Sequence, residues 1–305
     1  MSVNLSRRVV LALLLSGFRP MAIDKIGKFA VLATLGAGAH SSILHVRRAD
    51  DGKEYALKVV SIDGDEEKKF LAQAEHELRV SKMLNHPNLV KVHCLELEKG
   101  FLGLGGVKKA RLLIEYVKGD TLDKAKLIKP AKLLRIFQQI AAGLAHMHQK
   151  GVLHADMKPN NVMVGRGNVV KVLDYGLAWI KGEPKDRVQG TPEYMAPETA
   201  THKMVSERTD IYNFGATMYR LTTFQLPPSV LPAEGMKVKE KQFLGMLKPV
   251  RELAPNTPPK LAELIEQCLQ FDANKRPATM TDVHNVLDTL ADEAEAKLSP
   301  DELEG

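Results

Sequence analysis

Asp156, Lys158 and Asn161 share the short stretch His154-Ala155-Asp156-Met157-Lys158-Pro159-Asn160-Asn161, and Asp174-Tyr175-Gly176 begins thirteen residues after Asn161. An aspartate that takes or orients a hydroxyl proton and a lysine that sets a positive charge beside a transferring group are two requirements of phosphoryl transfer. A third is hard oxygen ligands for magnesium, which Asn161 and Asp174 offer. Magnesium keeps waters and phosphate oxygens as its other partners, so two side chains suffice. Any one of these residues would be ordinary in a surface turn. A turn does not require the whole set, preceded by apolar Gly151-Val152-Leu153 and divided by Val169-Val170-Lys171-Val172-Leu173.

Other elements must bring a nucleotide to this block. Leu35-Gly36-Ala37-Gly38-Ala39-His40-Ser41-Ser42-Ile43 lies between strand-like runs, 29–34 and 43–47. Its glycines let backbone amides approach a triphosphate, although a flexible hairpin turn reads the same way. Tyr55-Ala56-Leu57-Lys58-Val59-Val60 alternates as a strand and sets one lysine among apolar neighbours, where it needs a partner. The next segment, 66–84, has Phe70, Leu71, Ala74, Leu78 and Met83 at broadly helical spacing before the breaker His86-Pro87-Asn88. On that helix Glu75 and Glu77 both qualify as the partner of Lys58.

Together these residues resemble the eukaryotic-type protein kinases, and among them the bacterial serine/threonine kinases, from about Ile26 to Leu290. The resemblance selects Glu77, nine residues before the His-Pro-Asn turn, as the acid that pairs with Lys58 to hold the α- and β-phosphates. It makes Leu112-Leu113-Ile114-Glu115-Tyr116-Val117 the strand into the hinge, with Ile114 as gatekeeper, Ala56 beside the base, and the backbone of Glu115 and Val117 facing adenine. Gly190-Thr191-Pro192-Glu193-Tyr194-Met195-Ala196-Pro197-Glu198 resembles the end of the activation segment, with Thr191 of the serine/threonine type. Asp210 resembles the aspartate that braces the catalytic loop, and Arg276 the arginine that pairs with Glu198. The implied cofactors are ATP and Mg2+, and the implied partners are protein substrates. The implied fold is α+β and two-lobed, with a small antiparallel sheet lobe and a larger helical lobe.

Three departures from the family pattern have consequences. Ser41 replaces the third glycine of the phosphate loop, which costs backbone freedom but keeps a small side chain. Tyr175 stands where phenylalanine is usual, and its hydroxyl needs a partner. Ala155 occupies the place of the arginine that anchors a phosphorylated segment. Residues 177–189 hold no Ser, Thr or Tyr, so acceptor and anchor are both absent. The expectation is an enzyme independent of activation-segment phosphorylation.

Composition fits a soluble cytoplasmic protein of ordinary globular character. Cys94 and Cys268 suggest neither a disulfide framework nor a metal site, and both are expected to be buried and reduced. The net charge is +6, with −5 in residues 292–305 and therefore +11 in the rest. Basic and aromatic residues do not interleave, so nucleic acid is not an expected partner. Arg7-Arg8 followed by Val9 to Leu15 resembles part of a secretion signal but is too short to span a bilayer.

The expected organisation is a leader or misassigned start over 1–20, a nucleotide lobe over 21–117, a helical catalytic lobe over 118–291 and a solvated acidic tail over 292–305. Leu133, Phe137, Ile140, Leu144 and Met147 mark one face of a long helix that ends near Gly151. The glycine-rich run 100–106 reads as a turn. Two other readings remain: a scaffold that binds partners without catalysis, and a small-molecule phosphotransferase. The first is opposed by the full set Lys58, Glu77, Asp156, Asn161 and Asp174, the second by Thr191 through Glu198 and by Arg276.

Overall fold

The computed structural model describes residues 25–37, 41–62, 67–99, 106–124, 128–184, 190–231 and 238–299. The expectations for 1–20, for the loop tip Gly38, Ala39 and His40, for 100–105, for 185–189 within the activation segment and for 300–305 of the acidic stretch lie outside them.

The first part of the chain is a six-stranded antiparallel sheet. Its strands are β1 (Lys25–Ile26), β2 (Phe29–Ala37), β3 (Ser41–Arg48), β4 (Glu54–Ser61), β5 (Val92–Lys99) and β6 (Val107–Glu115), in the order β1-β2-β3-β4-β6-β5. Alternation along β4 sends Tyr55 and Leu57 to an outer apolar cluster with Phe29, Val46 and Leu113. Ala56, Lys58 and Val60 then face the other way, where Val60 joins the main core. Helix α1 (Glu67–Met83) lies between β4 and β5 in the chain. Its buried side is Ala74, Glu77, Val80 and Ser81, whereas Met83, expected on the apolar face, is exposed.

The remainder is mainly helical. Strand β7 (Gly119–Thr121) leads to α2 (Pro130–Gln149) and β8 (Val152–Leu153), then to β9 (Val162–Gly165), β10 (Val170–Val172) and β11 (Trp179–Ile180). After these come α3 (Pro197–His202), α4 (Glu207–Thr223), α5 (Glu240–Met246), α6 (Val250–Leu253), α7 (Pro259–Cys268) and α8 (Met280–Glu295). Proline at the first position starts α2, and Gly151, at φ +70°, turns the chain out of it into β8. On α2 Phe137, Ile140, Leu144 and Met147 are buried as their spacing predicts. Leu133 is only half-buried, and Leu134 and Ile136 take its place in the core.

Two expectations need correction. The acidic stretch is not simply a solvated tail: α8 runs through Asp292 and Glu295, and Arg135 of α2 bonds both at 2.7 Å. Opposite charge on a packed helix pair draws these acids onto the fold. Cys94 is only half-buried, because it sits in β5 close to an edge, while burial pushes the free Cys268 thiol up to about 12. Among the described residues no helix is long and apolar enough to cross a membrane.

Candidate active site

A cleft of about 410 Å³ separates the sheet from the helical part. Leu35 and Ile43 cover it from the β2–β3 hairpin, and Ala56 and Lys58 line it from β4. Ile114, Glu115, Tyr116 and Val117 form its back, and Asn161 and Asp174 its floor. Gly36 and Ala37 pair with Ile43 and Ser42 in the hairpin but do not line the cleft. Ser41 faces an adjoining cavity of about 300 Å³ that also reaches Lys58, Gln73 and Glu77. Met163, Leu173, Asp120, Thr121 and Lys124 line the cleft as well, and spacing did not single them out. The alternation Val162-Met163-Val164 could have exposed Met163, since its neighbours on either side face the other way.

Lys58 Nζ lies 2.6 Å from Glu77 Oε1. Glu75, the other sequence candidate, is exposed. Burial alone would lower the Lys58 pKa, but the Glu77 and Asp174 carboxylates outweigh it and leave the ammonium form favoured beyond its ordinary range. Burial raises the Glu77 carboxyl, and Lys58 works against that rise. The pair therefore sets a fixed cation on the cleft wall within the field of Asp174.

The catalytic-loop candidates converge on one carboxylate. Asp156 Oδ2 accepts from Lys158 Nζ at 2.7 Å and from Asn161 Nδ2 at 3.1 Å. Its Oδ1 accepts from the Thr191 hydroxyl at 2.9 Å and from the Thr191 amide at 3.1 Å. Lys158 also reaches Thr191 Oγ1, at 2.6 Å. The short turn Pro159–Asn161 brings Asn161 back over the loop, where Nδ2 donates to the Asp156 carbonyl at 2.8 Å. That leaves Asn161 Oδ1 as the atom it can offer a cation. Asp174 is exposed to the cleft with one oxygen occupied by the Gly176 amide at 2.9 Å.

Asp210, fully buried in α4, holds this loop in shape. Its oxygens accept from the amides of His154 at 2.9 Å and Ala155 at 2.8 Å, and His148 Nε2 lies 2.8 Å away. Burial would raise its carboxyl, but the bonds from His148 and Ala155 prevail and hold it below the usual carboxylate range. The bracing matters because Ala155 sits at φ +63°, a left-handed conformation that costs a non-glycine residue on the order of 1 kcal/mol. His154, also buried, bonds the Leu173 carbonyl through Nε2 and accepts from the Asp156 amide at 3.3 Å, so it carries its proton on Nε2.

Tyr175 finds the partner that its hydroxyl needs: it donates to the Val90 carbonyl at 2.8 Å, and burial pushes the phenol pKa up. Gly176 packs so closely on α1 that a Cβ there would stand 2.3 Å from Gln73 Nε2. Farther along, Arg276 grips Glu198 with two 2.8 Å bonds. The site thus combines a lysine–glutamate pair over a cleft, an aspartate seating a hydroxyl, and a buried aspartate bracing its loop.

The protein kinase domain family matches residues 29–287. The chain belongs to the protein kinase family. Serine/threonine-protein kinase pkn2 of Myxococcus xanthus is 30% identical over 282 residues, covering 87% of this chain and 32% of that protein. Serine/threonine-protein kinase pkn3 of the same organism is 30% identical over 83% of this chain and 48% of its own length. Serine/threonine-protein kinase PrkC of Bacillus subtilis is 24% identical over 87% of this chain and 41% of its own. The kinase chain thus spans less than half the length of these curated relatives.

Proposed function

We propose that this kinase chain transfers the γ-phosphate of ATP to serine or threonine hydroxyls of protein substrates, in the cytoplasm, and that it needs no phosphorylation of its activation segment. The observation that carries the reading is the Asp156 carboxylate, which accepts a hydroxyl at 2.9 Å with a lysine ammonium 2.7 Å away. A substrate hydroxyl in the place of the Thr191 hydroxyl would give its proton to Asp156 as its oxygen bonds to the γ-phosphorus. Lys158 would balance the charge that develops on the transferred group, and ADP would leave with the bridging oxygen.

The cleft suits the nucleotide. Ala56, Leu35, Ile43 and Met163 offer apolar cover for a base. The Glu115 amide is committed to the Lys91 carbonyl at 2.8 Å, so an adenine contact from Glu115 falls to its carbonyl and the amide contact to Val117. Lys58, held by Glu77, would sit on the phosphates, beside the adjoining cavity that Ser41 lines. Asn161 Oδ1 and Asp174 are hard oxygens on one wall, a donor set that fits Mg2+ sharing its remaining places with phosphate and water. When bound, magnesium supplies charge neutralisation on the phosphates.

Segment independence is supported by the absence of Ser, Thr and Tyr from 177–189 and by Ala155 in place of an anchoring arginine. The test is transfer of label from γ-labelled ATP to serine or threonine of a basic protein, using enzyme freed of phosphate by a phosphatase. Retained activity is expected. Loss of most activity on treatment would contradict the independence, and no label before or after would contradict the kinase reading itself.

A further inference from the structure

Helix α1 meets the activation segment along a stripe of side chains spaced one turn apart. Gln73 lies over Gly176, His76 Nε2 bonds the Ala178 carbonyl at 2.7 Å, and Arg79 makes a two-pronged bond to Glu183 at 2.7 and 2.9 Å. The His76 contact fixes its tautomer. With the proton on Nε2 given to Ala178, Nδ1 accepts from Arg79 Nη2 at 3.1 Å and steadies the guanidinium facing Glu183.

The Glu183 end is built as firmly. Its amide donates to the Ile180 carbonyl at 3.1 Å, its carbonyl accepts the Trp179 indole at 2.9 Å, and Gly182 takes the left-handed turn, φ +88°, between them. Trp179 and Ile180 form β11, which pairs with Leu153 and Val152 of β8 directly before the catalytic loop. Lys181 N bonds the Gly151 carbonyl at 2.8 Å. The Glu183 carboxylate is thereby tied to the frame that carries Asp156, while Arg79 is rigidly tied, two residues along the same helix, to Glu77.

We infer that Arg79 and Glu183 are positioning residues: a fixed carboxylate in the segment, gripped by a helix arginine, keeps Glu77 on Lys58 without any added phosphate. The inference rests on the kinase reading above and supplies the anchor that a segment lacking acceptors needs. A two-pronged arginine–carboxylate contact is the geometry in which an ion pair of this kind orients as well as attracts. Both side chains are partly exposed, at 54% and 37%, so the effect is modest.

The test uses the full chain, freed of phosphate, as wild type, Arg79→Gln, Glu183→Gln and the double variant, with label transfer from γ-labelled ATP at varied protein substrate. Each single change should lower kcat about fivefold, equivalent to about 1 kcal/mol, with the KM for the protein substrate unchanged. The double variant should be no worse than either single, because one interaction is removed in all three. Arg79→Lys, which keeps the charge and loses the fork, should fall between. Thermal melts close to wild type establish that the variants are folded, as expected for partly exposed positions. Single variants with wild-type kcat beside an active wild type would overturn the clamp and leave the kinase reading standing, as would a double variant whose losses multiply to about 25-fold. No transfer by wild type would overturn the kinase reading and the clamp with it.

Discussion

Replacing Arg276 by lysine keeps the charge and removes the fork, and the structure fixes what that costs. All five guanidinium donors are used. Nε bonds the Gln270 carbonyl at 2.8 Å, Nη1 bonds Glu198 and the Arg208 carbonyl at 2.8 Å each, and Nη2 bonds Glu198 at 2.8 Å and the Phe271 carbonyl at 3.1 Å. The guanidinium also stands 4.8 Å over the Tyr212 ring. A lysine has three donors, so at least two of these acceptors lose their partners, at about 1–3 kcal/mol each when buried. Arg276→Lys should therefore destabilise by about 4 kcal/mol, within the range for breaking a buried ion pair. At about 2–4 °C per kcal/mol this lowers the thermal midpoint by roughly 10 °C. The neighbouring Lys275→Ala removes only a solvent-screened surface bond to Glu240 and should leave the midpoint close to that of wild type. Differential scanning calorimetry of both variants checks the contrast, and an Arg276→Lys midpoint within 2 °C of wild type, about the size of a surface change, would refute the reasoning.

Lys58→Met and Asp174→Ala should each abolish nearly all label transfer, the first by leaving Glu77 buried without its cation and the second by removing a magnesium ligand; steady-state kinetics with full activity in either would contradict its assignment. Tyr175→Phe should lose about 1 kcal/mol of stability in urea titration, because the Val90 carbonyl loses its bond, and should keep most of its activity since the ring remains in place. Asp210 makes its own prediction. A carboxyl held below its unfolded pKa contributes in full above that unfolded value, about 3.9, and loses its contribution as pH falls through the lower folded value. The stability gap between wild type and Asp210→Asn should thus narrow as pH falls below about 3.9; a gap that stays constant from pH 5 down to pH 2 would be inconsistent with the depressed carboxyl.

Local patterns made the frame of the site legible. Period-two alternation placed Lys58 on the cleft side of β4, because strand geometry leaves a side chain only two directions. Loop composition marked Asp156 and Asn161, since a turn closed within eight residues positions its own side chains. Choosing Glu77 over Glu75 needed the resemblance, as the two differ only in which face of α1 is covered. Long-range pairings stayed hidden. The Tyr175 hydroxyl ends on a backbone carbonyl, which leaves no mark in side-chain types, and Arg79 with Glu183 are two common surface residues 104 positions apart. The same holds for Arg135 with Asp292 and Glu295: charge balance marked the acidic stretch, but nothing local says that an arginine on another helix draws it in.

The most direct measurement of the central claim compares wild type with Asp156→Asn in transfer of labelled γ-phosphate from ATP and magnesium to a basic protein. Phosphoserine or phosphothreonine that appears with wild type and falls by several orders of magnitude in the variant, while both still bind ATP, is the predicted result. Equal transfer by the two proteins would contradict the role given to Asp156, and with it the reading of the cleft.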